Sequence, residues 1–549
     1  ETFNMTYDDA EYHFTLYYYD QGGNLVRTVP PSGVKKIDLM ADLVTPNSIL
    51  DGQDIKNGRI AGARTTQPSH TFLTTYKYNS LNQLVQQSTP DGGTTKFWYD
   101  DLGRLVVSQN AKQAATSNWG SPDYPNNYEV YSYTLYDPLG RIFEVGQYQH
   151  NSGSPMTETI AKNPSQLSTW LSSGAKREIT KTFYDDDSQI TFSPNPFGSA
   201  GQENLRNRVA SVTYQKTYTS SASTFDHGTH YSYDIHGNVK GLVQDNQEMA
   251  NQFSSLSGEQ YKFVAYKFDL ISGKVNEVQY QPGKADQFFH RYGYDGDNRI
   301  TFVETSSDNA FWIQDAKYFY YPHGPLARVE LGKNKVQGLD YAYTLHGWIK
   351  GVNSGTLNET RDMGQDGNNN QVNLNSYVGR DEAGYTLHYY DGDYLANGIV
   401  AGNLSTATNF VINQPANADF GNTNYSKNLY NGNIRQMVTA IREFMKNGAK
   451  PLGNAYRYDQ LNRITHKQVF DNADMQNNAW GNTSQNLQDY KESFAYDGNG
   501  NILELSRNGY GQNINMDFLN YYYVDPSGSN GVYSPQNSPA SLTATNKLA

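Results

Sequence analysis

Tyr99-Asp100-Asp101-Leu102-Gly103-Arg104-Leu105 holds a strand end, a tight turn and a strand start. Asp at the first position of a type I turn and Gly at the fourth are the residues that turn favours. The Asp carboxylate can accept backbone N–H groups two residues on, and Gly tolerates the left-handed conformation that closes a three-residue hairpin loop in a bulge. Phe97-Trp98-Tyr99 and Leu105-Val106-Val107, on either side, are strand formers. The stretch therefore predicts a β-hairpin tip.

The same pattern returns along the chain as Tyr19-Asp20…Gly23-Asn24-Leu25, Tyr136-Asp137…Gly140-Arg141-Ile142 and Tyr233-Asp234…Gly237-Asn238-Val239. It returns again as Tyr294-Asp295…Asn298-Arg299-Ile300, Tyr458-Asp459…Asn462-Arg463-Ile464 and Tyr496-Asp497…Gly500-Asn501-Ile502. Pro138 occupies the second turn position, where its fixed φ fits. Tyr78-Asn79…Asn82-Gln83-Leu84, Phe268-Asp269…Gly273-Lys274-Val275 and Tyr343-Thr344…Gly347-Trp348-Ile349 are degenerate copies. Internal self-similarity of this kind marks a repeat architecture rather than a string of separate domains.

Composition agrees. Of 549 residues 45 are Tyr, aromatics reach 13%, and only 18% are charged. Tyr, Thr, Asn and Gly favour strands and turns over helix. Runs such as Tyr76-Lys77-Tyr78, Tyr231-Ser232-Tyr233 and Tyr456-Arg457-Tyr458 alternate one aromatic face with one polar face. They predict a thin antiparallel sheet, solvated on both sides, and a long twisting sheet coils. The expected fold class is all-β: a spiralling antiparallel β-hairpin shell, with residues 1–549 forming one continuous wall.

Interruptions are expected at two places. Residues 151–176 read as a helical insertion, with Asn163 as N-cap, Pro164 at the first helical position and Gly174 past the end. Residues 353–455 read as an irregular Asn- and Gly-rich insertion. Val34, Ile37, Met40, Ala41 and Val44 have helical spacing. The stretch from Asn433 to Asn447 fits a strand leaving the Asn431-Gly432 turn or a helix with Ile434, Met437, Ile441, Phe444 and Met445 on one face, and the strand reading is preferred. The last residues, Thr545 to Ala549, look like half of another repeat, so further chain is expected beyond 549.

Several functions are disfavoured. A net charge of −12 repels a phosphate backbone, so nucleic acid is not an expected partner. No stretch approaches the roughly 18 apolar residues of a membrane-spanning helix. Glu1-Thr2-Phe3-Asn4 does not read as a signal peptide. With no Cys there is no thiolate zinc site and no Cys nucleophile.

Asp497-Gly498-Asn499-Gly500-Asn501 matches the first half of a calcium loop but lacks its later Gly and Glu, and reads as a turn. Asp295-Gly296-Asp297, Asp391-Gly392-Asp393 and Asp185-Asp186-Asp187 read as turns as well. His227, His230 and His236 lack a metal-binding helix pattern. Catalytic, cofactor-binding and metal residues are accordingly expected to be none, and the repeat-turn residues quoted above are expected to be structural.

The Tyr-Asp…Gly-Arg-Leu repeats resemble the Rhs/YD-repeat superfamily, which includes bacterial polymorphic toxins, shell subunits of insecticidal toxin complexes and animal teneurins. Tyr18-Tyr19-Asp20-Gln21-Gly22-Gly23-Asn24-Leu25 and Tyr320-Tyr321-Pro322-His323-Gly324-Pro325 are similar to large secreted or surface members in Gram-negative bacteria. The resemblance implies a hollow, non-catalytic shell that encapsulates or displays a C-terminal, often toxic, segment. It implies secretion or exposure on the outer-membrane exterior. Its implied partners are the chain's own C-terminal cargo or downstream segment and export or outer-membrane surface proteins. Many members release their cargo by aspartate-dependent autoproteolysis. Asp525-Pro526-Ser527-Gly528 has only a superficial likeness to that motif, which Asp137-Pro138-Leu139-Gly140 shares as a turn. An adhesion module binding protein or glycan, and a carbohydrate-active enzyme on a β-scaffold, are the alternatives.

Overall fold

In a computed structural model the described residues are 13–34, 70–115, 128–151, 154–186, 188, 190, 192–218, 224–252, 258–357, 362–367, 375–390, 392–394, 428–474, 479–481, 488–510, 515–521, 523–524 and 532–533. Most of the expected helix from Val34 to Val44, Asp187, Asp391, Asp525 and the C-terminal half-repeat lie outside them.

The wall is one antiparallel sheet of 27 strands. Each strand pairs with the next in sequence, from Leu16–Tyr19 against Leu25–Val29 through to Ile502–Asn508 against Asn515–Asn520. Two small hairpins, Asn472–Asp474 with Ala479–Gly481 and Tyr523–Val524 with Val532–Tyr533, are left out of the ladder, which passes directly from Ile464–Phe470 to Glu492–Tyr496. In such a meander every repeat turn lies on one rim of the wall, the tip rim. Every other connection lies on the opposite base rim.

The repeat motif builds the tip as its residues require. Asp100 Oδ1 accepts the N–H groups of Leu102 (3.0 Å) and Arg104 (2.8 Å), while Oδ2 accepts Arg104 Nε (2.8 Å). Gly103 takes φ +78° and the register slips between Trp98 and Tyr99, the expected bulge. Asp137, Asp295 and Asp459 repeat this clamp on Arg141, Arg299 and Arg463. Where Asn298 and Asn462 replace Gly, they adopt the same left-handed conformation, φ 62°, which Asn tolerates best after Gly.

The tyrosine joins one hairpin to the one before it. Tyr99 Oη donates to the Leu84 carbonyl (2.8 Å), Tyr136 to Leu105 (2.9 Å), Tyr233 to Val209 (2.8 Å) and Tyr294 to Val275 (2.8 Å). Tyr458 reaches Ile434 and Tyr496 reaches Ile464 in the same way. The acceptor at Leu84, Leu105, Val275 and Ile464 is the first residue after the preceding hairpin's turn. The clamped arginine lies over the ring of the next such tyrosine: Arg104 over Tyr136 at 4.6 Å, Arg141 over Tyr184 at 4.2 Å and Arg463 over Tyr496 at 4.7 Å. A neutral hydrogen bond contributes about 0.5–1.5 kcal/mol and an exposed cation–π contact about 0.5–1 kcal/mol. Repetition turns these small terms into a continuous seam.

The sheet coils until its end meets its beginning. Ser32 N donates to Asn499 Oδ1 at 3.0 Å, across 467 residues of sequence. Ser32 is on the base rim beside the second strand, and Asn499 is on the tip between the twenty-fifth and twenty-sixth. Laid flat, 23 strand spacings would separate them by about 110 Å, whereas a ring of that circumference is about 35 Å across.

Three sequence expectations need correction or refinement. The 151–176 insertion holds two helices, Glu158–Lys162 and Pro164–Ser172, with Asn163 capping the second through Ser165 and Gln166 N–H as expected. A wall strand, Gly174–Tyr184, already begins inside its span. The helices cover the wall, because Trp170, Leu171, Leu167 and Met156 join Val107, Tyr131, Tyr133 and Tyr148 in a buried apolar cluster. The 353–455 span is not wholly an insertion. Ala383–His388, Gln436–Ile441 and Leu452–Tyr458 carry the ladder through it. Within 433–447 the preferred strand exists at Gln436–Ile441, followed by one helical turn at Arg442–Met445. The wall is also not solvated on both faces throughout: Gly338, Asp340 and Ala342 are buried in alternation, as are Gln436, Val438 and Ala440.

Loss of the clamp should be felt locally. Asp137→Ala removes the acceptor of both N–H groups and one of the two carboxylate partners of Arg141, and should speed amide hydrogen exchange at Leu139 and Arg141 by about tenfold or more. Tyr136→Phe, which deletes one hydroxyl, should cost about 0.5–1.5 kcal/mol in opening of that hairpin. Unchanged exchange in both variants would show that the motif does not hold the tip.

Candidate functional site

The repeat-turn residues all sit on the tip rim, at Tyr19, Asp20 and Gly23 as at Tyr496, Asp497 and Gly500, one or more hairpins apart. Their aspartates are engaged within their own turns. The Arg299 N–H, with the Arg299 and Asp297 groups, holds the Asp295 carboxyl below its ordinary range despite partial desolvation. Asn24 does the same for Asp20. Asp497 accepts Asn499 and Asn501 N–H, so the calcium-like string is a turn in this structure.

The histidines separate. His227 and His230 point to opposite faces of strand His227–Tyr233. His227 is exposed, while His230 is buried with Nδ1 2.8 Å from Ser211 Oγ and Nε2 3.5 Å from Asp245. His236 lies in the tip clamped by Asp234. Asp185 pairs with Arg141 at 2.8 Å. Among the described residues no group of three or more His, Asp or Glu is placed to hold a metal ion.

The chemically distinctive region is a row of buried charges on strands Leu326–Leu331, Gln337–Tyr343, Ile349–Val352 and Ala383–His388. Described parts of the irregular region, 362–367, 389–390 and 392–394, supply partners to it. Sequence reading missed it, because its directly paired charges lie up to 43 residues apart and meet only through the ladder and the returning segments.

At one end Arg328 binds Asp340 and Asp366 and lies 3.6 Å from Glu330. Asp362 and Asp381 complete the group, and Lys335 binds Glu330 at 3.0 Å. Five carboxyl groups thus face two cations. Burial pushes Asp366 up to about 6, with Arg328 opposing it. Burial, then the neighbouring Asp362, Asp366 and Asp340, pushes Asp381 up to about 8. Gly338 and Gly364 bracket the Arg328 guanidinium so closely that a Cβ on either would lie within 2.5 Å of it.

At the other end Lys350 and Asp393, both fully buried, pair at 2.8 Å. Lys350 Nζ also donates to His388 Nδ1 at 2.8 Å. Burial lowers the Lys350 ammonium to about 8, Asp393 opposing it. Burial, then the Lys350 and Arg435 charges, holds His388 well below the ordinary range, so its ring is neutral. Asp393, expected as a solvated turn residue, is instead this buried counter-ion: its Oδ2 accepts Tyr389 N–H at 2.8 Å. Gln436 stands opposite His388 in register, fully buried, and neither end of its amide has a hydrogen-bond partner among the described residues.

Lys350, His388 and Asp393 are fully buried among the described residues. The wall cavities at Tyr136 and Lys176 (about 460 Å³), at Asp137 and Tyr184, and at Phe444 and Arg507 are lined by none of them. The row fastens chain segments to the wall.

No family model matches the chain. Among curated proteins it is similar to salivary gland surface protein 1 of Aedes aegypti, 19% identical over 331 residues, 49% of this chain and 9% of that protein. Among solved structures it is similar to TcdB2-TccC3-Cdc42, with a TM-score of 0.51 and 12% identity over 94% of this chain and 18% of that one. TcdB2-TccC3 without its hypervariable C-terminal region gives 0.51 and 13% identity over 93% and 18%. The chain therefore spans a small part of each. The likeness to the solved structures is one of fold, a spiralling wall of antiparallel hairpins.

Two outcomes follow for the buried row. Unfolded aspartate titrates near 3.9, so a carboxyl raised when folded binds more protons in the folded state. Its contribution is complete below about pH 4 and is lost as pH rises toward 8. Amide exchange at 362–367 and 383–388 should therefore accelerate from pH 4 to 8, after correction for intrinsic rate, and Asp381→Asn should flatten the rise. Asp20, Asp137, Asp234, Asp295 and Asp459 at the tips are shifted the opposite way, and their turns should loosen only as pH falls below about 4. Lys350→Met should leave Asp393 buried and unpaired, costing about 3–5 kcal/mol in urea unfolding followed by Trp348 fluorescence, and Lys350→Met with Asp393→Leu should recover much of it.

Proposed function

We propose that the chain is a wall segment of a secreted shell that encloses or displays a polypeptide, its own downstream segment in the full protein. The observation that carries this is the contact between Ser32 and Asn499, which makes an uninterrupted 27-strand meander into a coil around a space. The similarity to TcdB2-TccC3 structures supports the shell reading. So does a wall whose interactions are local and repeated. The role is structural: steric isolation of the contents. Among the described residues no helix is long and apolar enough to cross a membrane.

A surface recognition module is the second reading, favoured by the similarity to a protein named as a surface protein. Exposed apolar side chains, which would mark such a module, occur among the described residues both at hairpin tips, as at Leu102 and Leu345, and in the 353–455 span, at Tyr377, Tyr430 and Phe444. The carbohydrate-active alternative requires facing carboxyl groups in an open cleft; the raised carboxyl groups here are buried against Arg328.

Small-angle scattering tests the enclosed space. A compact globule of 549 residues has a radius of gyration of about 24 Å. The shell reading predicts a clearly larger value, with a pair-distance distribution shifted to long distances. A value at the globular limit would contradict it.

A further inference from the structure

A groove of about 890 Å³ crosses one face of the wall near the base rim. It lies over five neighbouring strands, Leu452–Tyr458, Ile464–Phe470, Glu492–Tyr496, Ile502–Asn508 and Asn515–Asn520, and so runs about 20 Å across the ladder. Register places its floor. Lys467 stands opposite Glu492, Glu492 opposite Arg507 and Arg507 opposite Asp517, a row of alternating sign. Lys467 Nζ binds Glu492 at 3.2 Å and Arg507 binds Asp517, and all four side chains keep part of their surface in solvent.

The aromatic groups stand at the margins. Phe444, in the helical turn Arg442–Met445, is 69% exposed. Tyr490, just ahead of strand Glu492–Tyr496, is 43% exposed and is backed by Tyr510, the two rings stacked 5.8 Å apart at 24°.

This arrangement selects among occupants. A protein interface puts its apolar groups at the centre and its charges at the rim; here the order is inverted. A peptide captured through its main chain needs a free strand edge, and the floor strands are already paired with one another in the ladder. A charged ligand would have to part Lys467 from Glu492 or Arg507 from Asp517, and an anion would also meet the net charge of −12. A neutral hydroxyl parts neither pair. It donates and accepts at once, so it can use a carboxylate lone pair and a spare cationic N–H side by side along the row. The amides of Asn454 and Asn508, also in the groove, offer the same two-way bonding. The rings at the margin present flat faces of negative potential, which suit aliphatic C–H groups. A molecule with hydroxyls around its edge and C–H groups on its flat faces is a sugar ring.

We propose that this groove binds a neutral oligosaccharide, its hydroxyls on the row from Lys467 to Asp517 and its ring faces on Phe444 and Tyr490. The length of the row, four strands, asks for several linked sugars rather than one. The inference needs only this stretch of wall and is independent of what the coil encloses.

Calorimetric titration of the whole chain with cellohexaose and with chitohexaose tests it. At least one should bind with a dissociation constant of about 1 mM or tighter. Its affinity should be the same at low and high salt, because no ion pair forms or breaks. Phe444→Ala with Tyr490→Ala should weaken binding about tenfold or more. Both side chains are exposed, so circular dichroism and the urea midpoint should stay as in the wild type. Tyr490→Phe alone, which keeps the ring, should bind nearly as well as the wild type. Arg507→Met with Asp517→Leu, which removes donors and acceptors at constant net charge, should also weaken binding. Failure of both hexasaccharides to bind would overturn the proposal, as would binding that neither double variant changes. Salt-sensitive binding of heparin in their place would assign the groove to acidic ligands and overturn it. So would binding of anilinonaphthalene sulfonate, lost in the Phe444 and Tyr490 double variant, with neither hexasaccharide bound. A failed titration beside a large radius of gyration would remove the glycan and leave the shell.

Discussion

The wall depends on a phenolic hydroxyl that reaches back across one hairpin. A lone two-stranded hairpin is marginal in water. Here the tips with the full motif are made rigid by an aspartate that satisfies their N–H groups and are tied to their neighbours by Tyr Oη on a main-chain carbonyl, with an arginine over the ring at Arg104, Arg141, Arg299 and Arg463. Every term is small and within reach of the next repeat. The result is a structure whose stability accumulates with neighbours, as in other linear repeat proteins, and which can enclose space without a central apolar core.

A thin wall has open edges and uncovered faces, and the chain manages both. The coil brings the tip of one turn onto the base of another, so at the seam an edge covers an edge. The helices of residues 158–172 cap the wall with Trp170, whose ring packs 4.3 Å from Tyr148. The returning segments are fastened by charge instead: Lys350 with Asp393, and Arg328 with Asp340 and Asp366. Buried pairs of this kind add little net stability but penalise any other arrangement strongly. That suits a segment that must be held in one place on a face of repeating, nearly equivalent strands.

The hairpins were legible in the sequence because their determinants are local. Asp, Gly and Tyr at fixed offsets specify a turn, a bulge and a strap whatever the rest of the chain does. Asn163 and Pro164 announced their helix for the same reason. The buried row was not legible. Lys350, His388 and Asp393 belong to different strands and a returning loop, and nothing near Asp391-Gly392-Asp393 separates a buried counter-ion from a solvated turn. His230 and Asp245 meet diagonally across a ladder that only a fixed register reveals. The ladder through 383–441 was read as irregular because its strands, Ala383-Gly384-Tyr385 among them, lack the Tyr-Asp signature and are joined by long connections.

The central claim is that the wall closes on itself through the contact of Ser32 with Asn499. The chain has no cysteine, so Ser32→Cys with Asn499→Cys accepts two spin labels and nothing else. Pulsed dipolar spectroscopy under native conditions should give a single short distance at the lower end of the measurable range, unchanged on dilution. A flat or open sheet would place the labels about 110 Å apart, and the absence of any short-range dipolar signal would contradict the account.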